Sequence, residues 1–359
     1  MTRTPPDDLL AGKLLVCLGP GGVGKTTVSA ALALGAAIEG RWVDVMTVDP
    51  APRLLDALGL AADTGAELCE VALEKGQGRL RAMRLDPKRT FDALIANHAP
   101  SPAAADAIMQ NRIYRNLSQA LAGVGDYMAM ERLLQLSEAP RTDLVVLDTP
   151  PAREALDFLD APRRLLELLN SRAVTLLGGG IRRGFGVLDL AARAVLSAFD
   201  RLTGLHLLGD VQEFVRSFEG MYAGFADRAM RVQRLLAAHE TAIVVVTTAE
   251  PERIAHALEF ISALRRAGIE PRAAIVNRTL PALASAHRID RASIPSSTRR
   301  KLRRAAEEFD ALRAREQAAI ESLRANAPGR IELFAIPDLG YEPSELADLS
   351  RLRQSLSIL

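Results

Sequence analysis

Residues 19–26 read G-P-G-G-V-G-K-T, a complete match to the pattern G-x-x-x-x-G-K-[ST]. No other stretch of the chain restricts its fold as tightly. The pattern needs a strand entering the loop and a helix leaving it, and the flanking residues supply both. "KLLVCLG" (13–19) is a short apolar run, and "TTVSAALALGAAI" (26–38) is built from helix formers. Glycines let such a loop wrap closely enough for its N–H groups to face an anion. The helix start adds the positive end of its dipole. Gly21, Gly22, Val23, Gly24, Lys25, Thr26 and Thr27 are therefore candidates for holding a phosphate chain. Lys25 would bring its charge to the β and γ phosphates, and the Thr26 hydroxyl would ligate magnesium.

Further apolar runs occur at 42–49, 143–149, 241–248, 272–277 and 330–338, with a more alternating one at 79–87. Each is short and bounded by turn formers, and helical patterns separate most of them. The expected fold is α/β, a doubly wound, mostly parallel sheet covered by helices. Residues 152–240 contain no strand-like run. There Val211, Phe214, Phe218, Tyr222, Phe225, Val232 and Leu236 recur at helical spacing. Residues 283–327 become strongly charged and read as a long helix ending at Pro-Gly. The expected organisation is a nucleotide-binding core in 1–151, a helical subdomain in 152–240, and more core in 241–282. A helical insertion follows in 283–327, then a core strand and C-terminal helix in 328–359.

Two aspartates lie where apolar strands should end. Asp148, in "VVLDTPP" (145–151), stands where a carboxylate would meet the metal through water. Asp49, in "TVDPAPRLLDALG" (47–59), is placed to position an attacking water, and it is equally the first residue of an Asp-Pro turn. Lys25 and Asp49 are the candidate catalytic pair, and Thr26 and Asp148 the candidate magnesium set.

With these segments in hand, the chain resembles the arsenite-pump and tail-anchored-protein-targeting ATPases, the ArsA-like branch of the SIMIBI class of P-loop proteins. The likeness rests on the glycine-rich loop, Asp49-Pro50-Ala51, "LDTPPAREALDFLD" (147–160) and "IVNR" (275–278). Its D-T-P-P segment is similar to that of a bacterial, actinobacterial-type subgroup. The resemblance implies ATP and Mg2+ as cofactors and two nucleotide sites facing each other across a dimer. It further implies that Asn277 hydrogen-bonds the adenine edge and that Pro337 and Asp338 flank the base.

One departure stands out. The family carries a lysine ahead of its Gly-Gly pair, which reaches the partner's site; here that position is Pro20, without charge or N–H. Three explanations are open. Arg53 or Arg153 substitutes, a related ATPase supplies the lysine in a heterodimer, or hydrolysis is slow and ATP acts as a switch. A homodimer remains the alternative assembly.

Composition narrows the partners. Lys and Arg total 45 against 44 Asp and Glu, so no global charge points to nucleic acid. The basic run from Arg299 to Arg304 is followed at once by acidic residues and reads as a solvated helix face. No uncharged apolar run is long enough for a membrane span, and "MTRTPPDDLLAG" lacks the apolar centre of a signal peptide. A cytoplasmic protein is expected. The two cysteines, Cys17 and Cys69, read as small buried hydrophobes rather than an arsenite site. The 211–236 stripe is either core or a groove for a hydrophobic, tail-anchored helix. The C-terminal segment 344–359 reads as a capping helix, with a partition-type membrane-surface helix as the rival.

Overall fold

The computed structural model describes residues 5–61, 67–74, 78–112, 114–115, 122–169, 221–281 and 294–359. Each of the seven apolar runs forms a strand: β1 (Leu14–Leu18), β2 (Trp42–Thr47), β4 (Arg79–Arg84), β5 (Leu144–Asp148), β6 (Thr241–Thr248), β7 (Ala273–Thr279) and β8 (Glu332–Pro337). Two short strands, β3 (Cys69–Glu70) and β9 (Ser357–Ile358), carry too few residues to show a period.

The sheet runs β3-β4-β2-β5-β1-β6-β7-β8-β9. From β4 to β8 every pairing is parallel; only β3 and β9, at the two edges, are antiparallel. The central strands are buried on both faces, which is why they read as unbroken apolar runs. The phosphate-loop strand β1 lies at the middle, between β5 and β6. The chain crosses from one side of β1 to the other between β5 and β6. Loops leaving the C-terminal ends of these strands therefore diverge and leave a crevice above the sheet, where doubly wound folds bind ligands.

Clustering of contacts divides the chain into two compact units, one of Met1–Arg84, Ala139–Leu156 and His239–Leu359, the other of Leu85–Glu138 and Asp157–Ala238. The first unit holds the sheet. Its helix α2 (Lys25–Ile38) is buried along nearly its whole length, from Val28 to Ala37. Alanine, leucine and glycine are what that position demands, since α2 is packed against the strands while α12 (Leu346–Ser355) buries Leu349 and Leu352 in the same core. Each such leucine contributes roughly 1.5–3 kcal/mol. The apolar face of the C-terminal segment is thus committed to the core, as a capping helix requires and a membrane-surface helix does not. The expected charged helix is α11 (Ser296–Asn326), anchored by Ala319, Ile320 and Leu323 near its end. Its basic run is largely exposed, and Arg304 pairs with Glu308 one turn along.

The second unit is helical where described: α4 (Pro87–His98), α5 (Pro102–Gln110), α6 (Ala122–Ser137), α8 (Ala161–Leu169) and α9 (Tyr222–Ala237). Rings of Phe91 and Tyr114 pack 4.9 Å apart, and Tyr127 and Phe225 pack 6.1 Å apart. Of the aromatic stripe, Phe225 and Val232 are buried in α9 and Tyr222 is half-buried, so this part is core. Val211, Phe214 and Phe218 lie outside the described residues. Among the described residues no helix is long and apolar enough to cross a membrane.

One ion pair inside the sheet is costly to break. Asp44 of β2 is 2% exposed and accepts both Nε and Nη2 of Arg81 from β4, at 2.7 and 2.8 Å, as well as the Thr142 hydroxyl at 2.8 Å. Removing only the cation strands a buried carboxylate. Arg81→Ala is expected to lower stability by about 3 kcal/mol in urea denaturation. A change within about 0.5 kcal/mol would mean that Asp44 is held by Thr142 and water alone.

Candidate functional site

The loop is shaped by two glycines that no other residue replaces. Gly19 has φ 148°, and a Cβ there would sit 2.1 Å from the Val246 carbonyl oxygen of β6. Gly24 has φ 88° and caps α2 in the left-handed region. A Cβ on Gly24 would stand 2.3 Å from Nδ2 of Asn277. Gly21 and Gly22 form the exposed crest of the loop, while Val23 is buried beneath it.

Lys25 opens α2 and is 8% exposed. Its Nζ donates to the Pro20 carbonyl oxygen at 3.0 Å, so the ammonium lies folded back along the loop. Burial lowers its pKa, and the charges of Asp148 and Asp49 oppose that shift. Pro20 is itself buried. The position where the resembled family has a lysine is here an apolar wedge whose carbonyl receives Lys25.

Asp148 ends β5, beside β1, and is 1% exposed. The hydroxyls of Thr26 and Thr47 donate to its Oδ2 at 2.8 and 2.9 Å, while Oδ1 is buried without a hydrogen-bond partner. Burial pushes its carboxyl pKa up to about 6, against the pull of the two hydroxyls and Lys25. A carboxylate with one orphaned oxygen, flanked by a threonine hydroxyl and a lysine, fits a hard divalent cation with a phosphate chain beside it. Thr26 and Asp148 would hold the cation. Sequence reasoning missed Thr47; its only signal is its place two residues before Asp49.

Asp49 follows β2, close enough for its charge to act on both Lys25 and Asp148. Its Oδ1 accepts the Ala51 N–H at 2.9 Å, closing an Asp-Pro turn, and its Oδ2 lies 3.7 Å from Arg53. The turn therefore holds Asp49 within electrostatic reach of Lys25 and Asp148. Arg53, the first residue of α3 (Arg53–Ala57), is 73% exposed on its side chain. The Arg153 side chain lies outside the described residues.

Asn277, Pro337 and Asp338 come together with Thr27 around a cavity of about 270 Å3 beyond the ends of β7 and β8. Asp338 is held by its own turn, its Oδ1 accepting the Gly340 N–H at 2.8 Å. Arg278, at φ 58° and the last residue of the I-V-N-R segment, and Tyr341, which has no sequence signal, also line this cavity. The cysteines stay apart. Cys17 is buried in β1, its thiol pKa raised to about 12 by burial. Cys69 lies on edge strand β3 and is only half-buried, so the reading of it as a core hydrophobe is corrected.

The parallel sheet, the loop after its central strand and the strand-ending carboxylate beside it define the class: an α/β protein of the P-loop type. A profile of the anion-transporting ATPase family matches residues 12–312, and the chain belongs to that family. The resemblance read from the motifs is thereby borne out. Relatives include ATPase GET3 of Malassezia globosa, 33% identical over 157 residues, covering 44% of each chain. ATPase GET3 of Chaetomium globosum is 31% identical over 151 residues, 42% of this chain and 43% of that one. An uncharacterized protein of Streptomyces coelicolor is 33% identical over 194 residues, 54% of this chain and 45% of that one. The chain thus spans less than half the length of each of these relatives.

The raised value at Asp148 has a definite sign. Its folded state binds the proton more tightly than the unfolded state does. Its contribution therefore falls as pH rises from about 4 to about 6, and stays lowered above. In ligand-free protein, Asp148→Asn is expected to be more stable than wild type by about 2–3 kcal/mol at pH 7 and to converge with it near pH 4. Thermal melts across this range check it; parallel curves would place the titration elsewhere.

Proposed function

We propose that the chain binds magnesium-ATP at the loop and hydrolyses it by in-line attack of water. The observation that carries this reading is the meeting of Thr26, Lys25 and the orphaned Asp148 oxygen under the glycine loop. Magnesium, when bound, neutralises phosphate charge as a Lewis acid. The protein does the rest. The loop amides and Lys25 bind the phosphates, Thr26 and Asp148 hold the metal shell, and Asp49 orients the water. The Lys25 ammonium has three donor hydrogens and gives one to the Pro20 carbonyl, which leaves two for phosphate oxygens.

The resemblance further supports a dimer, homomeric or formed with a related ATPase that carries the lysine, and a cytoplasmic setting. Nucleotide state would then reposition the segment 152–240, which the sequence leads us to expect as a helical subdomain handling a partner or cargo. A second reading makes ATP a clamp with slow turnover, in a targeting factor for hydrophobic helices. Buried Pro20 favours it, because the side chain at that position carries no charge and Arg53 lies 3.7 Å from Asp49.

Phosphate release and calorimetry separate the roles. Lys25→Ala is expected to abolish measurable magnesium-ATP binding. Asp49→Asn is expected to keep affinity within about threefold and lower turnover by about 10²-fold. Unchanged turnover in D49N would leave Asp49 as a turn former only.

A further inference from the structure

The side chain of Asn277 touches the loop and the cavity at once. Its Nδ2 donates to the Val23 carbonyl oxygen at 2.9 Å, joining residues 254 positions apart. It is 4% exposed. The next residue, Gly24, lies so close that a Cβ on it would stand 2.3 Å from the same nitrogen. Asn277 also lines the cavity shared with Thr27, Pro337 and Asp338. A primary amide has two donor hydrogens and one acceptor oxygen. One hydrogen is spent on Val23, leaving the other and Oδ1 for whatever fills the cavity.

The loop needs such a tie. Its residues are chosen for close approach, not for stiffness, and glycines give up more freedom on ordering than any other residue. The Val23 carbonyl lies in a buried part of the loop, where losing its donor is costly. The Val23–Gly24 peptide directly precedes Lys25, so its orientation aims the first amides of α2 and the lysine together.

We propose that Asn277 is a positioning residue for the phosphate loop, fixing the Val23–Gly24 peptide whether or not a base occupies the cavity. This rests on the nucleotide reading above and goes beyond the role the resemblance implies, a hydrogen bond to the adenine edge. Base recognition and phosphate geometry then share one side chain, and filling the cavity stiffens the loop that grips the other end of the ligand.

Tripolyphosphate separates the two roles, because it has phosphates and no base. Wild type, Asn277→Ala and Asn277→Asp are titrated calorimetrically with magnesium-ATP and magnesium-tripolyphosphate. Amide hydrogen exchange over residues 23–28 is followed in ligand-free protein. The aspartate keeps the shape but replaces the donor with an acceptor, so it serves if the alanine variant folds poorly. Both variants are expected to weaken both ligands by about tenfold and to speed exchange in the loop. Weakened ATP with unchanged tripolyphosphate and unchanged exchange would overturn the proposal and leave Asn277 a base contact. If wild type binds neither ligand, the nucleotide reading falls, and the exchange data alone decide whether Asn277 holds the loop.

Discussion

A single buried carboxylate sets the terms for the upper edge of the sheet. Asp148 ends β5, takes hydrogen bonds from Thr26 at the start of α2 and Thr47 at the end of β2, and keeps one oxygen unpartnered. A buried anion in this state is unfavourable by itself, which burial registers by raising its pKa. Proteins retain such groups where a ligand completes them. Thr26 and Asp148, which would hold a phosphate-bound metal, already meet here, so the contact that costs stability without ligand would organise the site for one.

The rest of the unit follows from keeping that meeting point in place. Register between β1 and β5 pairs Cys17 with Asp148, and register between β2 and β5 pairs Thr47 with Asp148. A slip of one residue would turn each of these side chains to the opposite face. The apolar interior of the strands and the close packing of α2 make such a slip expensive. Asn277 brings β7 into the same arrangement through the loop carbonyl of Val23. Thr26 is thus tied to Asp148, and the loop carbonyl of Val23 to Asn277.

Much of this was legible in the residues. The central strands announced themselves because burial on both faces leaves continuous apolar runs, and the loop because few other backbones need glycine, lysine and threonine at that spacing. Strands β3 and β9 were not legible, since two residues show no period and their pairing is decided by neighbours. Nor was Thr47, whose role depends on β2 lying beside β5, a fact of topology. Pro20 was visible as an anomaly, but its burial and its carbonyl bond to Lys25 are three-dimensional facts. The sequence left Asp49 open between turn and site; its turn bond and its nearness to Lys25 are both present. Asn277 looked like a residue facing a base because its tie to the loop spans a distance that no local pattern encodes.

The central claim is that the glycine loop, Lys25 and Asp148 form a site for a metal-bound triphosphate. Calorimetric titration of the purified chain with ATP, once with magnesium and once with a chelator, tests it most directly. Saturable binding of one nucleotide per chain, clearly tighter with magnesium, is the expected result. The absence of binding under both conditions, or an affinity indifferent to magnesium, would contradict it.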